Sequence, residues 1–225
     1  LHNKEKNLLR KAGECQYDQG GYFIIDGKEK VIIAQERQVE NQIYTTKKKD
    51  EYIEYESEIR SVKEASFEPA RVTKLHFFKN NTIKVTIPGF NNPIPLFVLF
   101  RFLGIISDKE ITELIVYNFE NEMEKKILDI LYYSILDSKY INNEKLAVDL
   151  ISKDSTYIQS KFLIYKNFIP HVGYDDKISK AQFLAYMTRE LILTKLNYKK
   201  TTNKDSFIHK RIDISGFLIG TIFRD

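Results

Sequence analysis

The sequence holds a single cysteine, Cys15, among 225 residues. An internal disulfide is therefore excluded, which fits a reducing compartment. The four histidines, His2, His76, His171 and His209, are scattered, and no C-x-x-C or H-x-x-x-H spacing occurs. No zinc site is expected, and each histidine is assigned to the surface or to a capping role. No apolar run approaches the ~20 residues of a membrane helix. The longest, Ile94 to Ile106, is interrupted by Pro95, Arg101 and Gly104, so no membrane partner is expected. The opening residues carry neither a secretory nor a transit-type pattern. A strong charge bias is missing too: 35 basic residues face 31 acidic ones, for a net charge of +4. That balance permits nucleic-acid binding without arguing for it. Gly20-Gly21 lacks the G-x-x-x-x-G-K spacing and the following helix of a phosphate loop. Cys15 has no acid or base at a telling spacing and is expected to fill a core. With no nucleophile–base pair and no metal constellation, no catalytic residue and no metal ligand is assigned, and a small self-contained enzyme is disfavoured.

What is present suffices for a folded core. Hydrophobic residues make up 43%, and the length suits one large domain or two small ones. The most telling stretch runs from Glu14 to Arg37. Tyr22 to Ile25 and Val31 to Ile33 flank Asp26-Gly27, with Lys28-Glu29-Lys30 between. Asp-Gly between two β-prone runs predicts a type I′ hairpin, and its apolar runs predict burial. A short helix over 4–12, stopped by Gly13, precedes it. Gln38 to Tyr44 is of mixed character and can start another strand. In Tyr52 to Val62, alternation places Glu54, Glu56 and Glu58 on one solvated face, with Ile53, Tyr55 and Ile59 opposite. Arg71 to Phe78 and Thr82 to Ile87 form a half-buried hairpin around Asn80-Asn81. From Leu96 the pattern turns helical. Leu96 to Leu103 is apolar nearly all round and is expected to be buried. Capping boxes are read at Ser107/Glu110 and Ser179/Gln182. Further helices are expected near 121–137, 143–152, 155–168 and 180–197, and a last one over Phe207 to Phe223. A β-rich first half and a helical second half define an α+β fold.

Candidate chemistry is sparse. The carboxylate groupings that could serve magnesium are Glu54, Glu56 and Glu58, and Asp175-Asp176, and they are read as a solvated strand face and a turn. The basic groups are Lys28 with Lys30, Lys199 with Lys200 and Lys204, and His209-Lys210-Arg211 at the opening of the last helix. Lysine and arginine heads at set places grip phosphates without reading sequence. Aromatics at Tyr132, Tyr133, Phe162, Tyr165, Phe168, Phe183 and Tyr186 are assigned mainly to core packing, any surplus to a docking face.

The Glu14–Arg37 stretch also resembles a family. Glu14, Cys15, Asp18, Gly20 to Ile25, Gly27, Glu29 to Val31, Ile33 and Ala34-Gln35-Glu36 match a run of the second-largest, beta-like subunit of multisubunit DNA-directed RNA polymerases, of the eukaryotic and large-DNA-virus type. Glu58 to Ser61, Ile94 to Ile106, Phe168 to His171, Tyr186-Met187 and the stretch Asp205 to Gly216 resemble further family segments. Ser206 and Ile208 depart from it, where the family often has His and Gly. The resemblance implies a lobe domain over 37–207, inserted between protrusion pieces over 1–36 and 208–225. It implies a wall of the DNA cleft and a factor-docking surface, in a nucleotidyltransferase whose catalytic centre lies elsewhere. No cofactor is implied in this segment, and the two magnesium ions of the assembled enzyme are placed outside it. Implied partners are the other polymerase subunits, above all the largest, the DNA template, the RNA–DNA hybrid and transcription initiation factors. Lys28, Lys30, Lys210 and Arg211 are the implied nucleic-acid contacts, and Gln35 and Arg60 the implied structural links. Leu1 in place of Met suggests an internal piece. The Lys/Asn/Ile bias and Lys11 to Cys15 lean viral, hence a virion or host cytoplasm; a cellular enzyme implies the nucleus. The competing reading is a free-standing nucleic-acid-binding module of the same fold.

Overall fold

A computed structural model describes residues 8–63, 68–152 and 157–224. It divides into two compact units, Leu1–Val39 with Asp205–Asp225, and Glu40–Lys204.

The second unit is an antiparallel sheet covered by helices. Its strands, β4 (Ile43–Lys47), β5 (Ile53–Ser61), β6 (Arg71–Phe78), β7 (Ile83–Thr86) and β8 (Ile94–Pro95), pair in sequence order. Asn81, with φ 63°, makes the tight β6–β7 turn, as the Asn-Asn signal implies. Register carries one apolar row across the sheet: Tyr55 opposes Phe77, Phe77 opposes Ile83, Leu75 opposes Val85, and Val85 opposes Ile94. Helices follow: α1 (Leu96–Phe102), α2 (Asp108–Ile115), α3 (Glu122–Asp137), α4 (Glu144–Ile151), α5 (Tyr157–Asn167) and α6 (Lys177–Lys195). Every residue of α1 is buried, Arg101 included. Arg101 is tolerated there because its guanidinium donates to the Ser138 carbonyl at 2.8 Å, to the Ile141 carbonyl and to Asp108. A buried cation needs such partners. Arg189 of α6 is held likewise: it donates to Glu124 on α3 and to the Ile115 carbonyl, with the Tyr117 ring 4.1 Å away.

The first unit begins with a helical turn over 8–11, and Ala12, expected to be helical, is in a turn; residues 4–7 of the helix expected over 4–12 and His2 lie outside the described residues. Its hairpin pairs β1 (Tyr22–Ile25) with β2 (Lys28–Val31) through Asp26 and Gly27, both at positive φ. A second pair joins β3 (Gln35–Gln38) to β9 (Lys210–Asp213), and α7 (Ser215–Arg224) follows.

Several expectations change. The hairpin is exposed rather than buried, with Ile24 at 80%; an apolar run specifies a surface wanting cover, not the cover itself. Cys15 is exposed too, rather than filling a core. Residues 207–214 are not helical: Phe207–His209 is a 3-10 turn and Lys210–Asp213 a strand, because β3 offers a partner edge. The acidic face of β5 is not solvated. Glu56 is only 4% exposed, under Lys48 and Lys74, with His76 beside it. A bulge between Ile53 and Tyr55 takes Glu54 out of the alternation, and it binds Lys195 of α6. His76 is buried within the sheet and bonds Thr86 at 3.0 Å, so it is neither a surface nor a capping histidine. Ser107 makes no side-chain cap; Asp108 pairs with Arg101 instead. The last long helix starts earlier than expected, because Asp176 caps it by accepting from the amide and hydroxyl of Ser179. Of the aromatics assigned to the core, Phe168 is buried, but Tyr132, Tyr133, Phe162 and Tyr186 are exposed.

Candidate nucleic-acid interface

The implied phosphate contacts all fall in the first unit. Lys28 and Lys30 are two apart on β2, so they share one face of the hairpin. Both are exposed, and neither pairs with a carboxylate among the described residues. Lys210 and Arg211 are successive on β9 and so point to opposite faces.

Their electrostatics differ. Lys210 donates to Glu36 at 2.5 Å, diagonally across the β3–β9 pair, so much of its charge is already met. Arg211 is exposed and donates to the Lys210 carbonyl at 3.1 Å. Arg37 stands directly opposite it in register. Like charges facing each other are unfavourable, and Asp213 relieves this one by binding Arg37 at 2.9 Å. Arg37 also lies over the Phe217 ring at 5.7 Å. Lys28, Lys30 and Arg211 are thus the implied cations whose heads are most open to an anion. Arg37 went unassigned from sequence. The signal was the alternation in Lys210–Asp213, whose charges complement Glu36 and Arg37 only once 210–213 is read as a strand. Gln35 opposes Asp213 in the first unit, and Arg60 opposes Val72 in the second.

Two-metal chemistry needs converging carboxylates. The candidates here are engaged otherwise: Glu54 with Lys195, Glu56 with Lys48, Glu58 with Lys204, and Asp176 in a helix cap. Burial raises the Glu56 carboxyl, but the Lys48 hydrogen bond and the Lys74 charge outweigh it and hold the group below its ordinary value. Among the described residues no three His, Cys, Asp or Glu side chains are disposed to hold a metal ion. These residues do not fit magnesium. Among the described residues no helix is long and apolar enough to cross a membrane.

A module of antiparallel sheet and helices is the class that the fold defines. The family model "RNA polymerase Rpb2, domain 2" matches residues 39–213, and the chain belongs to that family. It is 37% identical to DNA-directed RNA polymerase II subunit RPB2 of Encephalitozoon cuniculi over 98% of this chain and 20% of the relative. It is 33% identical to RNA polymerase II subunit 2 of Arabidopsis thaliana over 100% of this chain and 20% of the relative. The archaeal subunit Rpo2 of Saccharolobus shibatae is 30% identical over 96% of this chain and 19% of its own length. The chain thus spans about a fifth of these relatives.

Proposed function

We propose that this chain serves as a segment of the second-largest subunit of a DNA-directed RNA polymerase, lining the nucleic-acid cleft. The observation that carries this is the family match across 39–213, with relatives aligned over nearly the whole chain. On this reading Glu40–Lys204 is the lobe, and the flanking unit belongs to the protrusion. Lys28, Lys30 and Arg211 contact nucleic-acid backbone, with Lys210 contributing less because Glu36 holds it. Gln35 and Arg60 act as structural links. The reaction and its magnesium ions belong to other parts of the assembled enzyme, and the largest subunit is the main partner. The exposed Tyr132, Tyr133 and Tyr140 suit a factor-docking face. The cellular origin of the eukaryotic relatives favours the nucleus over a virion or host cytoplasm.

The test has two parts. An antibody to Lys47–Glu58 is expected to detect a native polypeptide far above the 26.5 kDa of this chain, co-purifying with a larger subunit. In that assembly, K28Q/K30Q is expected to weaken DNA binding about evenly across sequences and to flatten its salt slope by about 2. A native band near 26.5 kDa, alone on a sizing column, would sink the subunit reading.

A further inference from the structure

Two lysine groups far apart in sequence meet in the second unit. Lys47 ends β4. Lys199 and Lys200 follow α6, in the chain that leads back along β4. That return is stitched in place: the Thr202 amide donates to the Thr45 carbonyl at 2.7 Å, and the Thr45 amide to the Thr202 hydroxyl at 3.3 Å. Between the two groups lies an open recess of about 530 Å³, lined by Lys47, Lys199 and Lys200 with Tyr55, Asn197 and Thr201 among others.

The lining includes three lysines and neither a carboxylate nor an arginine. Lys199 is partly met by Glu190 at 2.6 Å. Lys47 and Lys200 are exposed and pair with no carboxylate among the described residues. The nearby acids of β5 do not compensate them, since Glu54, Glu56 and Glu58 are bound by Lys195, Lys48 and Lys204. Tyr55 is 6% exposed, with the Lys47 ammonium 5.8 Å from its ring centre. A ring so covered is not a platform for an unstacked base. Point-charge lysines with threonine and asparagine around them suit a phosphate, whereas planar carboxylates are gripped best by arginine forks.

We propose that this recess binds a backbone phosphate of duplex DNA, without reading sequence. The proposal rests on the nucleic-acid reading above but uses different residues in the other unit. It is tested in the full-length polypeptide within its native assembly, with a benzophenone side chain placed at Thr201. A generic duplex is expected to crosslink there. K47Q/K200Q is expected to cut that crosslink about tenfold or more and to make the salt slope of DNA binding shallower by about 1. K47R/K200R, which keeps the charge, is expected to restore both. A crosslink to protein alone would refute the site as a DNA contact, and so would a DNA crosslink undiminished in K47Q/K200Q. Either result leaves the broader reading standing if K28Q/K30Q still weakens DNA binding; loss of both effects removes both.

Discussion

The two units solve the problem of apolar residues in opposite ways. In Glu40–Lys204, Leu75, Phe77, Val85, Phe97, Phe100 and Phe168 are all fully buried. Among the described residues of the other unit no apolar side chain is fully buried, and Tyr22, Ile24, Ile33, Ile208, Ile222 and Phe223 are exposed. That unit is defined instead by backbone geometry and short polar contacts. Ser215 donates its hydroxyl to the Gly20 carbonyl at 2.8 Å, and a Cβ at Gly21 would overlap the Ser215 side chain. One unit is held by burial, the other by close approach.

Substitutions of similar size should therefore have very different effects. Phe77→Ala is expected to cost about 3–5 kcal/mol, from lost transfer energy and a residual cavity. Ile24→Ser should stay within about 0.5 kcal/mol in this chain. Chemical denaturation followed by circular dichroism measures both. Equal losses would erase the contrast.

Arg189→Met tests the same contrast with charge. It leaves Glu124 buried without its partner and removes the donor to the Ile115 carbonyl. Breaking a buried pair from one side costs about 3–5 kcal/mol. The Glu124 carboxyl, held low first by its hydrogen bond to Arg189, should titrate higher in the variant, as carboxyl NMR shifts would show.

In the first unit the sensitive position is a glycine. Gly21 sits at φ +91°, a conformation L side chains rarely adopt. Gly21→Ala is expected to cost about 1–3 kcal/mol locally. Amide hydrogen exchange should report it at Ile32, whose N–H donates to the Gly21 carbonyl at 3.0 Å. Unchanged protection there would mean that the chain ends are joined by something other than this approach.

How much was legible follows from how local each cause is. Asp26-Gly27 and Asn80-Asn81 carry their turns within two residues, and both turns form. The nearly all-apolar α1 announces its own burial. Strand β9 was missed because its partner is β3, at the other end of the chain, and nothing local in Lys210–Asp213 outweighs a helical continuation. Burial of Glu56 depends on Lys48, Lys74 and His76 from two neighbouring strands. Asp176 and Ser179 both suit a cap, and the choice falls to whichever hydroxyl or carboxylate the backbone reaches. The lysine recess needs Thr45 and Thr202 together. The exposed hairpin is a different case, since a β-prone run is equally compatible with a covered and an uncovered face.

The last expected effect is a pH dependence, and it lies in the well-packed unit. Lys180 is 0% exposed and donates to the Tyr165 carbonyl at 2.7 Å. Burial pushes its ammonium down from 10.5 to about 8, against the opposing charges of Asp175 and Asp176. Below pH 8 both folded and unfolded chains hold the proton, so the full burial penalty is present. Between about 8 and 10.5 the unfolded chain holds more protons than the folded one, and stability gains as pH rises. Above that window both are neutral and the penalty is gone. Lys180→Met removes the titration, so the stability of the native chain relative to the variant should climb by about 1–3 kcal/mol across the window. Denaturation midpoints of the two proteins at pH 7, 8.5 and 10 would show it. Parallel curves would mean that the Lys180 ammonium is solvated well enough to keep its ordinary value, and that the core of this unit admits water beside α6.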